Sequence, residues 1–222
     1  MNHPTSRRVR GPWLLAVTLM SAALAQAITP AQTSRTQERD LFVSVLNQSS
    51  EPVTGLAPAD FVVREDGRLR EVLRARRATD PIDLAILVDN SQAATDDIMD
   101  LRKGLEAFTA TMREHGHVSL IGCADRPTVL VDYTNDAAAV KKGVGRLFAT
   151  PGSGATVMDA ISEVTKGLEK RGAERAAILT IWLGGTEFSN VNHLSVLQDF
   201  KTTGAALHVL TVGSGVPPDI RT

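Results

Sequence analysis

From Pro81 onward the chain alternates short apolar runs with stretches of helical periodicity. This alternation predicts an α/β fold: a doubly wound, mainly parallel sheet with helices on both faces, preceded by a small β unit. Two observations carry the prediction. The runs at residues 82–88, 118–123, 176–183 and 206–212 are almost free of polar interruption, as strands buried on both faces are. Between them, apolar residues recur at spacings of three and four, and strand–helix–strand units of this size close as right-handed parallel crossovers. The run at 82–88 ends in Asp89-Asn90-Ser91 and is expected at the centre of the sheet. It would deliver oxygen atoms at its carboxyl end, where open α/β sheets bind ligands.

In chain order, residues 1–27 read as a secretory leader. Arg7, Arg8 and Arg10 supply the charged start, Trp13 to Leu24 the apolar stretch, and Ala25-Gln26-Ala27 an A-x-A cleavage site. The apolar stretch is short for a bilayer span, so no membrane span is expected after leader removal, and the expected location is secreted or periplasmic. An uncleaved anchor is the alternative. Residues 28–40 are rich in Thr, Gln, Ser and Arg without apolar periodicity and are expected to be a linker.

Residues 41–77 are expected to form the small β unit, with about three strands. Leu41 to Leu46 has strand propensity, and Asn47 to Pro52 has turn chemistry. Phe61 to Arg64 and Arg68 to Leu73 read as a hairpin, because the intervening Asp66-Gly67 accepts the positive φ values of a tight primed turn. Arg64, Arg68, Arg70, Arg74, Arg76 and Arg77 bunch here. They make either a docking surface for an anionic polymer or, with Glu65, Asp66 and Glu71 interleaved, a solvated strand face.

The main domain is expected at residues 80–222. After the first strand, Ile98, Leu101, Leu105, Phe108 and Met112 form one helical stripe, with Thr95 and Asp96 as caps. A second strand at 118–123 is followed by a shorter third at 128–131. Ala137, Val140, Val144 and Leu147 mark a helix weakened by Gly143 and Gly145. Pro151-Gly152-Ser153-Gly154-Ala155-Thr156 opens the next helix, with the stripe Met158, Ile161, Val164 and Leu168; it lacks the lysine of a phosphate-binding loop. The strand at 176–183 leads into Gly184-Gly185-Thr186-Glu187. A helix over 194–202 stops at Gly204, and 206–212 is the last strand.

Composition narrows the functional classes. The 222 residues are 43% hydrophobic and 22% charged, as in globular chains. The formal net charge is −1, and losing the leader's three arginines makes the mature chain mildly acidic, with no electrostatic footprint for nucleic acid. The single cysteine, Cys123, lies in an apolar run and is expected as a small buried hydrophobe. A thiol activated by His115 or His117 is the alternative, opposed by the raised pKa of a mid-strand thiol.

These residues resemble a known family, the von Willebrand factor type A domain, whose metal ion-dependent adhesion site has the pattern D-x-S-x-S, then a Thr, then an Asp. Asp89-Asn90-Ser91 follows the first strand, Thr156 precedes Met158-Asp159-Ala160, and residues 176–185 correspond to the strand that ends Thr-Asp-Gly in the family. Pro52-Val53-Thr54-Gly55-Leu56, Asp60-Phe61 and Arg64-Glu65-Asp66-Gly67 look like the β segment preceding this domain in secreted bacterial von Willebrand factor A-related proteins of the acidobacterial type. The family domain generally has one more strand and helix after the position of Gly213, where only Val216-Pro217-Pro218-Asp219-Ile220 remains here; the expected lack of that strand and helix would leave Ala206 to Val212 as an open sheet edge.

The resemblance implies metal-mediated adhesion, with Mg²⁺ held by about six oxygens from three loops. Asp89, Ser91 and Thr156 retain three of the pattern's positions. Ala93 and Gly184 replace the other two ligands, so the site is degenerate and at most weak Mg²⁺ or Mn²⁺ binding is expected. Thr186, Glu187, Asn90 or Gln92 are the candidates to supply a missing oxygen. Without metal, Asp89, Ser91 and Thr156 would serve as caps and turn formers.

Three functions follow from this reading. The first is a non-catalytic module that binds another protein through the carboxyl end of the sheet. The second is a metal-free scaffold of an envelope assembly that associates, with itself or a partner, through the Ala206 to Val212 edge or the β hairpin. The third is a hydrolase with Ser91 as nucleophile, although no G-x-S-x-G elbow surrounds Ser91 and neither His193 nor His208 suits a base.

Overall fold

The computed structural model describes residues 38–212. The leader, most of the linker and the segment after Val212 lie outside the described residues. Everything described from Leu41 onward belongs to one compact unit.

The small β unit has two strands, not three. β1 (Val63–Glu65) and β2 (Arg68–Arg70) pair antiparallel, and the turn between them has Asp66 and Gly67 at φ 50° and 77°, the primed turn that Asp-Gly favours. The strand expected over 41–46 does not form. Only Leu46 bridges to Pro52, because the Asn47 side chain accepts N–H bonds from Ser49 and Glu51 and turns the chain back at once. No strand runs beside Leu41 and Val43, and both stay exposed. A 3-10 turn at Pro58–Asp60 leads into the hairpin.

The main sheet has five strands in the order β5-β4-β3-β6-β7: β3 (Ile82–Val88), β4 (Gly116–Cys123), β5 (Pro127–Thr134), β6 (Ala176–Trp182) and β7 (Ala206–Thr211). β3 is central and parallel to both neighbours, and β7 is parallel to β6. β5 is longer than its apolar run suggests and antiparallel to β4. Only Ala124 to Arg126 separate the two strands, too few residues for a crossover, so a hairpin is forced.

β3 shows how the faces divide. Leu84, Ile86 and Val88 enter one core with α1 (Ile98–Met112) and α2 (Ala137–Val144). Ala85 and Leu87 enter the other with α3 (Val157–Arg171) and α4 (His193–Thr203). A continuous apolar run is what two cores on alternate side chains require.

The helices follow their stripes with two departures. In α1, Phe108 is exposed and Thr109 is buried in its place, its hydroxyl donating to the Leu105 carbonyl at 2.6 Å. The expected caps Thr95 and Asp96 do not cap α1: Asp97 occupies that position without a side-chain bond. Glycines close α3 and α4, Gly172 at φ 64° and Gly204 at φ 60°. Across α3 and α4, the Ser162 hydroxyl donates to Asp199 at 2.7 Å, and Lys166 lies 3.0 Å from the same carboxylate. The Ser162 hydrogen bond, aided by Lys166, holds the Asp199 carboxyl below the usual carboxylate range.

Gly143 looks like a defect in α2 but is a packing requirement. A Cβ there would lie 1.8 Å from Val131 Cγ2 and 3.2 Å from the Leu130 carbonyl on β5. Gly143→Ala is therefore expected to cost about 2 kcal/mol in chemical denaturation through overpacking. Part of that loss should be recovered in the Val131→Ala background, where the obstructing methyl is gone.

Candidate functional site at the carboxyl end of the sheet

Three loops meet beyond β3, β4 and β6, and Asp89 ties them to the sheet. Asp89 is fully buried. Its backbone N–H donates to the Ile181 carbonyl at 2.9 Å, continuing the pairing of β3 with β6. Oδ1 accepts the Ser91 N–H at 3.1 Å, and Oδ2 accepts those of Leu183 at 3.1 Å and Gly185 at 3.0 Å. Bonds from N–H groups to a charged carboxylate are the strong kind, and three of them satisfy a group that would be costly to bury alone.

Ser91 is equally buried and caps the 3-10 turn Gln92–Ala94, its Oγ accepting the Ala93 N–H at 3.3 Å. Gly185 lies directly against both residues. A Cβ on Gly185 would fall 2.3 Å from Ser91 Oγ and 2.9 Å from each Asp89 carboxylate oxygen. Three oxygens thus converge on a space that the glycine backbone itself closes. The sequence drew attention to Gly184, whose φ of 92° accounts for its lack of a side chain and whose Cβ would meet nothing. Gly185 was not singled out, and its only signal was the doubling of glycine after a buried strand.

The other candidates turn elsewhere. Thr156 is buried just before α3, but its hydroxyl donates to the Ala124 carbonyl at 2.8 Å and does not cap the helix. Glu187 does that work instead: Oε2 accepts the Val157 N–H at 3.2 Å and Oε1 the Ser189 N–H at 2.9 Å. Asp159 adds a second clamp by accepting N–H bonds from Asn190 and Val191. The Thr186 carbonyl accepts the Ala155 N–H at 2.7 Å.

Asn90 and Gln92 hold the long loop before α3. Asn90 Nδ2 donates to the Phe148 carbonyl at 2.9 Å, and Gln92 Oε1 accepts the Gly152 N–H at 2.7 Å. Asn90 Oδ1 is buried without a hydrogen bond and lies 2.8 Å from where a Cβ on Gly122 would sit. Gly152 and Ser153 use their polar groups inside the molecule, so the glycine-rich loop is not a phosphate cradle.

As placed, these residues do not fit a hard divalent ion. Such an ion needs about six oxygens with free lone pairs. Both Asp89 oxygens are engaged, Ser91 Oγ lies under Gly185, and the hydrogen bonds of Thr156 and Glu187 direct them away. Among the described residues no three His, Cys, Asp or Glu side chains group as a metal site.

Among the described residues, Cys123 and the histidine nearest it in sequence with a described partner, His117, lie apart. Cys123 is buried at the end of β4, where burial first and the Asp89 charge second push its thiol up, so it stays protonated. His117 pairs with Asp83 at 3.1 Å near the opposite end of the strand, roughly 20 Å away by strand rise. There Asp83 also accepts Arg171 Nε at 3.0 Å, and the Arg171 guanidinium stacks 4.8 Å from the Tyr133 ring centroid. In the hairpin Arg70 pairs with Glu65, and beyond it Arg76 pairs with Asp80, so two of the bunched arginines are engaged by neighbouring acids.

Two outcomes test this geometry. Asp89→Asn keeps the shape but presents an amide N–H₂ to backbone donors, and is expected to lose about 3 kcal/mol in urea unfolding, equally in EDTA and in Mg²⁺. Cys123 is expected to resist maleimide at neutral pH in the native chain and to react fully after unfolding in guanidinium.

The family model described as von Willebrand factor type A domain matches residues 84–185. No curated protein matches the chain. Among solved structures, proximal thread matrix protein 1 from the mussel byssus is similar at a TM-score of 0.51 and 11% identity, over 61% of this chain and 38% of that one. The vWF domain of the type V pili tip protein Mfa5 from Porphyromonas gingivalis gives 0.43 and 17%, over 47% and 38%. The von Willebrand factor type A protein from Catenulispora acidiphila gives 0.49 and 13%, over 61% and 34%. The chain thus spans well under two thirds of the length of these neighbours, and at such identities the likeness is one of fold. Residues 84–185, from the core of β3 to the glycine that closes over Asp89, are thus the part of the chain that is similar to a von Willebrand factor type A domain.

Proposed function

We propose that this chain is a secreted or periplasmic protein-interaction module that docks another protein at the carboxyl end of its sheet, without catalysis and without a metal ion. The observation that carries the reading is the state of Asp89. Its carboxylate is sealed from solvent and accepts three backbone N–H bonds, so its charge holds loops together instead of recruiting a cation. The surrounding loops remain the part of the domain that varies without disturbing the sheet, which is where recognition residues belong.

Ser91 does not suit nucleophilic chemistry, because its Oγ lies beneath Gly185. The leader at 1–27 supports export, and no helix among the described residues is long and apolar enough to cross a membrane. A second reading, a metal-free scaffold that associates through its sheet edge, draws on β7. Leu207, Val209 and Leu210 are exposed there, and the strand carries no Asp, Glu, Lys or Arg to discourage pairing.

Calorimetric titration of the chain with Mg²⁺ and Mn²⁺ is expected to give affinities on the order of millimolar or weaker. Micromolar binding that disappears in Asp89→Ala would overturn the metal-free reading.

A further inference from the structure

The chain has six phenylalanines. The two most exposed, Phe148 at 60% and Phe188 at 66%, both lie in loops at the carboxyl end of the sheet. Phe148 is anchored by the Asn90 side chain at its carbonyl and by the Arg102 guanidinium 4.6 Å from its ring centroid. Phe188 donates its N–H to the Ala155 carbonyl at 2.7 Å, and its ring packs so closely on Gly154 that a Cβ there would lie 2.1 Å from a ring carbon. Both rings are therefore fixed before any partner arrives, which lowers the entropy lost on binding. Aromatic side chains in this state are typical anchors of protein interfaces.

Arg102 is engaged by the Phe148 ring and the Gly145 carbonyl, while the unpaired charge on the turn into α1 is negative. Asp96 and Asp97, on the turn into α1, are exposed and have no ion pair among the described residues, whereas Asp100 is neutralised by Lys103 at 2.8 Å. Met99, in the first turn of α1, is also exposed and lies 3.9 Å from the Arg102 side chain that stacks on Phe148. The polar groups beneath offer a partner little, since Asp89 and Ser91 are sealed.

We infer that this face takes a protein segment presenting apolar or aromatic side chains next to Lys or Arg, seated on Phe148 and Phe188 with its positive charge toward Asp96 and Asp97. The inference rests on the reading that docking occurs at the carboxyl end of the sheet. It adds the chemistry of the partner, opposite in charge to the acidic side chain that a bound metal would recruit.

The probe is a display library of random linear peptides, selected in EDTA against the immobilised full chain, with enriched peptides synthesised and measured by calorimetry. Enriched peptides are expected to combine Phe, Trp or Leu with Lys or Arg. Their affinity should fall about tenfold or more in Phe148→Ser, in Phe188→Ser and in the Asp96→Lys/Asp97→Lys double variant, each measured at a temperature where circular dichroism shows the variant folded. Enriched acidic peptides that still lose affinity in the phenylalanine variants would overturn the partner chemistry and leave the docking face standing. Peptides indifferent to every variant, or no enrichment at all, would overturn both.

Discussion

A carboxylate buried from water has to find donors for its lone pairs, and Asp89 finds three backbone N–H groups. One belongs to the turn that follows β3, and two belong to the loop that follows β6. The remaining contacts at this end follow from that junction. Because Asp89 draws the β6 loop inward, Gly185 must lack a side chain, and the chain beyond it reaches α3, where Glu187 and Asp159 clamp its first turn. Asn90 and Gln92, flanking Ser91, secure the loop before α3 from the other side. The five-residue stretch from Asp89 to Ala93 is thus a structural hub.

Much of this was legible in the sequence, for identifiable reasons. The strands β3, β4 and β6 showed themselves because two-sided burial leaves no room for polar residues, β7 through an apolar run that the fold leaves largely exposed, α1 and α3 because one-sided burial imposes a stripe, and α4 through its terminator Gly204. What was not legible depends on partners distant in sequence. Leu41 to Leu46 has strand propensity, but propensity cannot supply a neighbouring strand. Thr109 could replace Phe108 in the core because a helix carbonyl satisfies its hydroxyl. Gly143 read as weak helix chemistry until Val131 appeared opposite it.

The site divides along the same line. Asp89 and Ser91 were recognisable from their place after a buried strand, and the two do come together. Thr156 and Glu187 were not assignable, because each had several plausible hydrogen-bond partners and only the loop path selects among them. The sequence pointed to the missing ligand atom at Gly184, while the closer steric constraint sits one residue later, where backbone meets oxygen. The face that results is polar beneath and aromatic above. Its rigid rings are held by the same loops that Asn90 and Ala155 secure.

The sequence separation of the hub's bonds has a kinetic meaning. Asp89 lies 94 residues from Leu183 and 96 from Gly185, whereas β4 and β5 close across three residues. Chain-closure entropy favours the β4–β5 hairpin early and leaves the Asp89 junction among the last contacts to form. During synthesis, the carboxyl-end loops cannot assemble until Gly185 has emerged, so a nascent chain already holding β3 to β5 still lacks the finished surface at that end of the sheet.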